Sequence, residues 1–179
     1  LHWAGNGKRT RVLYIDGELG IAEFQVRQKD FRAKYGDDLG DGIVMHFDCY
    51  PLPPIDEPAG QQMILNAAEQ IKAGLVIIDN WTALTKKTLN EDVSVKDIRP
   101  LINELMVRRI ASICGLHAGH DVTRPVGTYV IGALTTGTLH LTREEGIPAN
   151  ECRGQLTWQD TRSAKPNDPD YRSFSYAVV

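Results

Sequence analysis

Short apolar runs that end in a carboxylate, separated by segments of helical periodicity, constrain this chain more than any other feature. Val12–Asp16 reads VLYID and Leu75–Asp79 reads LVIID. Neither run alternates apolar with polar residues, so both faces of each strand have to be covered. Buried strands that alternate with helices form a parallel sheet with helices on both faces.

The remaining pattern extends this alternation. Ile21, Phe24, Phe31 and Tyr35 fall at helical spacing among charged residues, which predicts a helix over 21–35 that Gly36 stops. Ile43–Phe47 is a second strand, and the proline-rich stretch 48–58 reads as a loop. Met63, Ile64, Ala67, Ala68 and Ile71 mark a second helix that ends near Gly74. A polar loop then runs from Asp79 to Glu91, followed by a helix with Ile98, Leu101, Ile102, Leu105 and Met106 on one face. Ala111–His117 is a further strand. After about residue 120 the texture changes: glycine and threonine dominate 126–138, and the runs 138–142, 155–158 and 174–179 alternate like antiparallel strands. The expected fold is α/β, a mostly parallel sheet flanked by helices with an antiparallel C-terminal extension. All 179 residues fit one domain, 1–179.

Composition excludes several classes. With 42% hydrophobic and 24% charged residues, nothing points to disorder. No apolar run has the length of a membrane span, and no signal peptide opens the chain. Cys49, Cys114 and Cys152 are odd in number and widely separated, which fits a reducing, cytoplasmic setting, with Cys114 a small core residue. The net charge of -3 means that any nucleic-acid contact has to be local. The chain opens Leu-His-Trp without an initiator methionine and reads as part of something longer.

In open α/β sheets ligands bind at the carboxyl ends of the strands. The polar residues there are Asp16 and Glu18, Asp48, Asp79 and Asn80, and then His117, His120 and Asp121. Asp79 suits a magnesium ion held through water beside a nucleotide phosphate, or equally a loop-capping role. Glu18 suits the activation of a water for attack on a γ-phosphate, or equally the start of a helix whose dipole favours its charge. His117, His120 and Asp121, with Asp79, form a weaker candidate transition-metal cluster, since their spacing matches no standard zinc motif. That reading makes the protein a metal-dependent hydrolase with stoichiometric zinc or manganese. His46 and His140 lie within strands as core or edge residues, and His2 belongs to the terminus.

Taken in order, YIDGEL, LVIIDNWTAL, GLHAGHD and QDTRSAKP resemble the ATPase core of the RecA/DnaB superfamily, in particular RepA-type hexameric helicases and related AAA-domain proteins of phages and plasmids. The resemblance implies ATP as substrate and Mg2+ as cofactor. It makes Glu18 the catalytic carboxylate, Asp79 the magnesium-associated residue of the Walker B strand with Asn80 beside it as a second cofactor-binding residue, and His117 the sensor of the γ-phosphate. Arg162 and Lys165 take the place of the basic pair that reaches a neighbouring subunit's nucleotide. The loop around Arg124, Thr128 and Tyr129 takes the place of the channel loops that contact single-stranded DNA. A homo-oligomeric ring or filament, most simply a hexamer, follows from the same resemblance, with a role in DNA replication or repair and no membrane partner.

The phosphate-binding loop G-x-x-x-x-G-K-[ST] is absent from the sequence. Gly5–Thr10 (GNGKRT) does not replace it: His2 stands at the earlier glycine position, Arg9 stands where Ser or Thr belongs, and a strand rather than a helix follows. The family places this loop upstream of the DGE strand, before Leu1. His120 stands where relatives often carry a lysine. An alternative is a non-hydrolysing RecA-fold structural or regulatory subunit.

Overall fold

The computed structural model describes residues 10–35, 43–46, 52–86, 92–117, 134–148, 152–161 and 174–178. It comprises two compact units, Gly5–Thr128 and Leu1–Ala4 with Tyr129–Val179.

In the first unit β1 (Val12–Asp16), β2 (Ile43–His46), β3 (Leu75–Asp79) and β4 (Ala111–Cys114) form a parallel sheet in the order β2-β1-β3-β4. The helices are α1 (Ile21–Tyr35), α2 (Pro58–Gln70), a short α3 (Trp81–Leu84) and α4 (Asp92–Val107). Three boundaries differ from the sequence reading. Helix α2 begins inside the proline-rich stretch, because Pro58 occupies the first turn, where a missing N–H costs nothing. The polar loop after Asp79 contains α3, which no apolar periodicity announces. The strand expected over 111–117 ends at Cys114, and the Gly115 carbonyl accepts from Trp81 N at 3.1 Å instead of extending the ladder. Helix α4 also carries Pro100 in its interior, where one helical hydrogen bond is lost.

Strand parity decides where the core sits. Leu13 and Ile15 of β1 and Val76 and Ile78 of β3 share one face and are buried. So are Ile64 and Ala68 of α2 and Ile98, Leu101 and Leu105 of α4, and α4 packs on both α2 and β4. Each buried Leu or Ile contributes roughly 1.5–3 kcal/mol, so this face supplies most of the hydrophobic stabilisation. The chain leaves β1 towards β2 through α1, then runs the opposite way through α2 to β3 and through α4 to β4. Right-handed crossovers in opposite directions put α1 on the other face from α2 and α4. The Tyr14 and Phe24 rings, 5.9 Å apart, join α1 to that second face. It is less fully covered, and Ile113 on it remains 56% exposed. Cys114 is half-buried, and burial pushes its thiol pKa up to about 12.

Two tertiary ties hold the lower-polarity helices in place. Gln61, buried in α2, donates through Nε2 to the carbonyls of Ile55 at 3.1 Å and Asp97 at 2.6 Å. Gly60 permits the close approach of the preceding segment, since a Cβ there would lie 2.3 Å from the carbonyl oxygens of Pro53 and Pro54.

In the second unit β5 (Gly137–Arg143), β6 (Cys152–Thr161) and β7 (Phe174–Val178) form an antiparallel sheet in the order β5-β6-β7. The expected antiparallel extension is therefore present. A register irregularity falls between Thr138 and Leu139, and His140 lies half-buried in β5. Among the described residues no helix is long and apolar enough to cross a membrane.

Candidate active site

The chain runs outward in opposite directions from β1 and β3, so their carboxyl ends border the crevice where such sheets bind ligands. Asp16 and Asp79 are paired in register at these ends. The ends are stitched together beyond the ladder: Gly17 N donates to Asp79 O at 2.6 Å, and Gly115 N donates to Ile78 O at 2.8 Å. Gly115 lies so close to Asp79 that an added Cβ would stand 3.1 Å from its Oδ1.

Asp16 builds the turn that presents Glu18. Its side chain is 1% exposed, and Oδ1 accepts from Glu18 N at 2.9 Å and Leu19 N at 2.8 Å. Those bonds replace the ladder partners that the backbone loses on leaving β1. Glu18 therefore sits in a turn, three residues before α1 begins at Ile21, and not in the helix.

At the end of β3 the capping role belongs to Asn80 and not to Asp79. Asn80 Oδ1 accepts from Ala83 N at 3.0 Å as the N-cap of α3. The Asp79–Asn80 peptide is cis. Asp79 Oδ2 instead accepts a short hydrogen bond from the Tyr14 hydroxyl. Burial, and then the hydrogen bond and charge of Asp79, raise the Tyr14 pKa above its ordinary value.

Three polar side chains from three strand ends then converge. Asn80 Nδ2 donates to Glu18 Oε1 in a short hydrogen bond. His117 Nε2 lies 2.7 Å from the same Oε1 and 2.8 Å from Asn80 Nδ2. The Glu18 and His117 side chains are 40% and 66% exposed, so solvent and a substrate can reach them. Asn80 is 3% exposed and forms the floor.

Of the sequence-derived candidates, Glu18, Asn80 and His117 meet directly, and Asp79 lies next to Asn80 at the end of β3. Arg162, Lys165, Arg124, Thr128 and Tyr129 lie outside the described residues, as do Gly5–Arg9, Asp48, His120 and Asp121. β1 begins at Val12, two residues after Thr10. Among the described residues no group of three His, Cys, Asp or Glu is arranged to hold a metal ion. Sequence reasoning missed Tyr14, and it named Asp16 only as a polar residue at a strand end, without its part in building the turn. The signal for Asp16 was its place before a glycine at a strand end, where Asp favours a side-chain turn.

Magnesium takes oxygen ligands, and the Asp79 carboxylate, fixed through Oδ2 by Tyr14, is a donor of that class.

No family model matches the sequence, and no curated protein matches it. Solved structures of similar fold exist. A KaiC-like protein from the hyperthermophilic archaeon Pyrococcus horikoshii OT3 matches 93% of this chain and 70% of its own, at a TM-score of 0.57 and 14% identity. The RadB recombinase matches 95% of this chain and 76% of its own, at a TM-score of 0.59 and 14% identity. The fold is thus RecA-like.

Proposed function

We propose that this chain is the core of an ATP-hydrolysing motor or DNA-binding ATPase of helicase or recombinase type, working as a ring or filament in DNA replication or repair. The observation that carries this reading is the convergence of Glu18, Asn80 and His117 beside Asp79 at the switch point of the sheet. The likeness to a KaiC-like protein and to a recombinase supports it at the level of the fold.

In this reading Glu18 orients a water for in-line attack on the γ-phosphorus and accepts its proton. Asp79 would hold Mg2+ through water, and the bound ion supplies neutralisation of phosphate charge. His117 reports on the γ-phosphate. Arg162, with Lys165 in support, acts on a neighbouring subunit's nucleotide, and Arg124, Thr128 and Tyr129 contact single-stranded DNA. Activity then depends on assembly, most simply as a hexamer of RepA type, because a basic finger of this kind is worth on the order of 10³–10⁵ in rate. The two compact units act together as one ATPase domain.

The test is Glu18→Gln in the intact protein. It abolishes ATP hydrolysis and leaves ATP binding in place. Turnover retained at the wild-type rate overturns the assignment.

A further inference from the structure

The two donors that meet Glu18 are not equivalent. His117 projects from the coil after β4 and is 66% exposed, whereas Asn80 is 3% exposed and tied at its other end. The tie settles which way the amide faces. Oδ1 accepts from Ala83 N, so Nδ2, which can only donate, points to the carboxylate. When His117 carries its proton on Nε2, both N–H groups aim at Oε1, and the 2.8 Å approach of Asn80 Nδ2 to His117 Nε2 is then a contact between two donors that share one acceptor, not a hydrogen bond. Among the described residues no hydrogen bond is made to Oε2.

Resting on the hydrolase reading above, we infer that Asn80 is the positioning residue of the Glu18 carboxylate: with His117 it occupies Oε1, reserving Oε2 for the attacking water. In the hydrolytic step the water oxygen bonds to the γ-phosphorus and the bond from phosphorus to the bridging oxygen breaks. The electron pair leaves with the nucleoside diphosphate, and the water's proton passes to Oε2. Asn80 touches neither the water nor the phosphate in this step. It acts by fixing the rotamer of Glu18 while the more exposed His117 remains able to turn. A misplaced catalytic group of this kind costs on the order of 10²-fold in rate.

The cap and the clamp are separable by substitution. Asn80→Ser keeps an oxygen that can cap α3 and deletes the donor to Glu18. The experiment measures kcat and KM for ATP hydrolysis in the full protein, together with the side-chain ¹⁵N resonances of His117. Asn80→Ser is expected to fold with a thermal midpoint near that of the wild type, to lower kcat about 10- to 100-fold with KM within about twofold, and to shift the His117 Nε2 resonance. Should the serine variant fail to fold, Asn80→Asp keeps the cap and sets a second carboxylate against Glu18, with the same or a larger loss of kcat expected. Wild-type kcat together with an unchanged His117 spectrum in the folded variant overturns the inference. A wild-type protein that hydrolyses no nucleoside triphosphate overturns the hydrolase reading instead, and the His117 spectrum of the variant then decides the positioning alone.

Discussion

Glu18 and His117 stand 99 residues apart in the chain and meet at 2.7 Å, carboxylate oxygen to imidazole Nε2. Since β1 and β4 are not neighbours in the sheet, the contact spans β3 between them. A pair of this kind is sensitive to the donor and not to the size of the ring. His117→Gln, which can still present an N–H, should therefore retain more hydrolysis than His117→Ala. We expect His117→Ala to lower kcat about 100-fold, within the range typical of lost general acid–base partners. Steady-state hydrolysis by the two variants checks this, and equal loss in both would remove the hydrogen bond from the account.

How far the sequence reveals this arrangement depends on the reach of each interaction. The VLYID and LVIID strands are legible because burial on both faces leaves a local signature, and the helix over 21–35 is legible from its spacing and Gly36. Glu18, Asp79 and His117 follow from a general rule about strand ends. The register that sets Asp16 beside Asp79 is not written locally. Nor is the division of labour between Asp79 and Asn80: a carboxylate at a strand end reads as the cap, yet the neighbouring amide caps α3. Within VLYID, Tyr14 reads as part of an apolar strand. Its hydroxyl matters because strand order brings β3 alongside β1, an event 65 residues away.

Gly17 illustrates close packing at the site. A Cβ there would lie 2.7 Å from Leu84 Cγ and Cδ2, and Leu84 is 7% exposed and not free to swing away. Gly17→Ala should destabilise by about 1–3 kcal/mol, the usual cost of an overpacked position. Leu84→Ala alone leaves a cavity costing roughly 2–5 kcal/mol. The double variant should lose less than the sum of the two, because each substitution accommodates the other. Denaturant titration of all four proteins measures this coupling, and strict additivity would place the crowding elsewhere.

Tyr14 gives the protein an alkaline dependence of known sign. Its phenol titrates at 10.0 when unperturbed and higher in the fold, with burial the largest cause and Asp79 the next. Below pH about 10 both folded and unfolded chains keep the proton, and the contribution to stability is fully present. Above it the unfolded chain releases the proton first, so stability falls as pH rises. Tyr14→Phe removes that segment of the curve while losing the hydrogen bond to Asp79. The stability difference between wild type and Tyr14→Phe should shrink as pH climbs from 9 to 11. A difference constant over that interval would show that the phenol is not perturbed.

Asp16 separates the construction of the site from its chemistry. One carboxylate oxygen, on a side chain 1% exposed, holds the N–H groups of Glu18 and Leu19. Asp16→Ala strips both of their acceptor in a partly buried turn, which should cost about 1–3 kcal/mol. It also frees the backbone that aims Glu18, so kcat should fall even at temperatures where the variant is fully folded. Asp16→Asn still offers an oxygen to the two N–H groups and should be the milder change on both counts. Denaturation and hydrolysis measured on the same preparations distinguish the possibilities. Asp16→Ala that loses stability with kcat unchanged would confine the residue to folding, and the aim of Glu18 would then rest on Asn80 and His117.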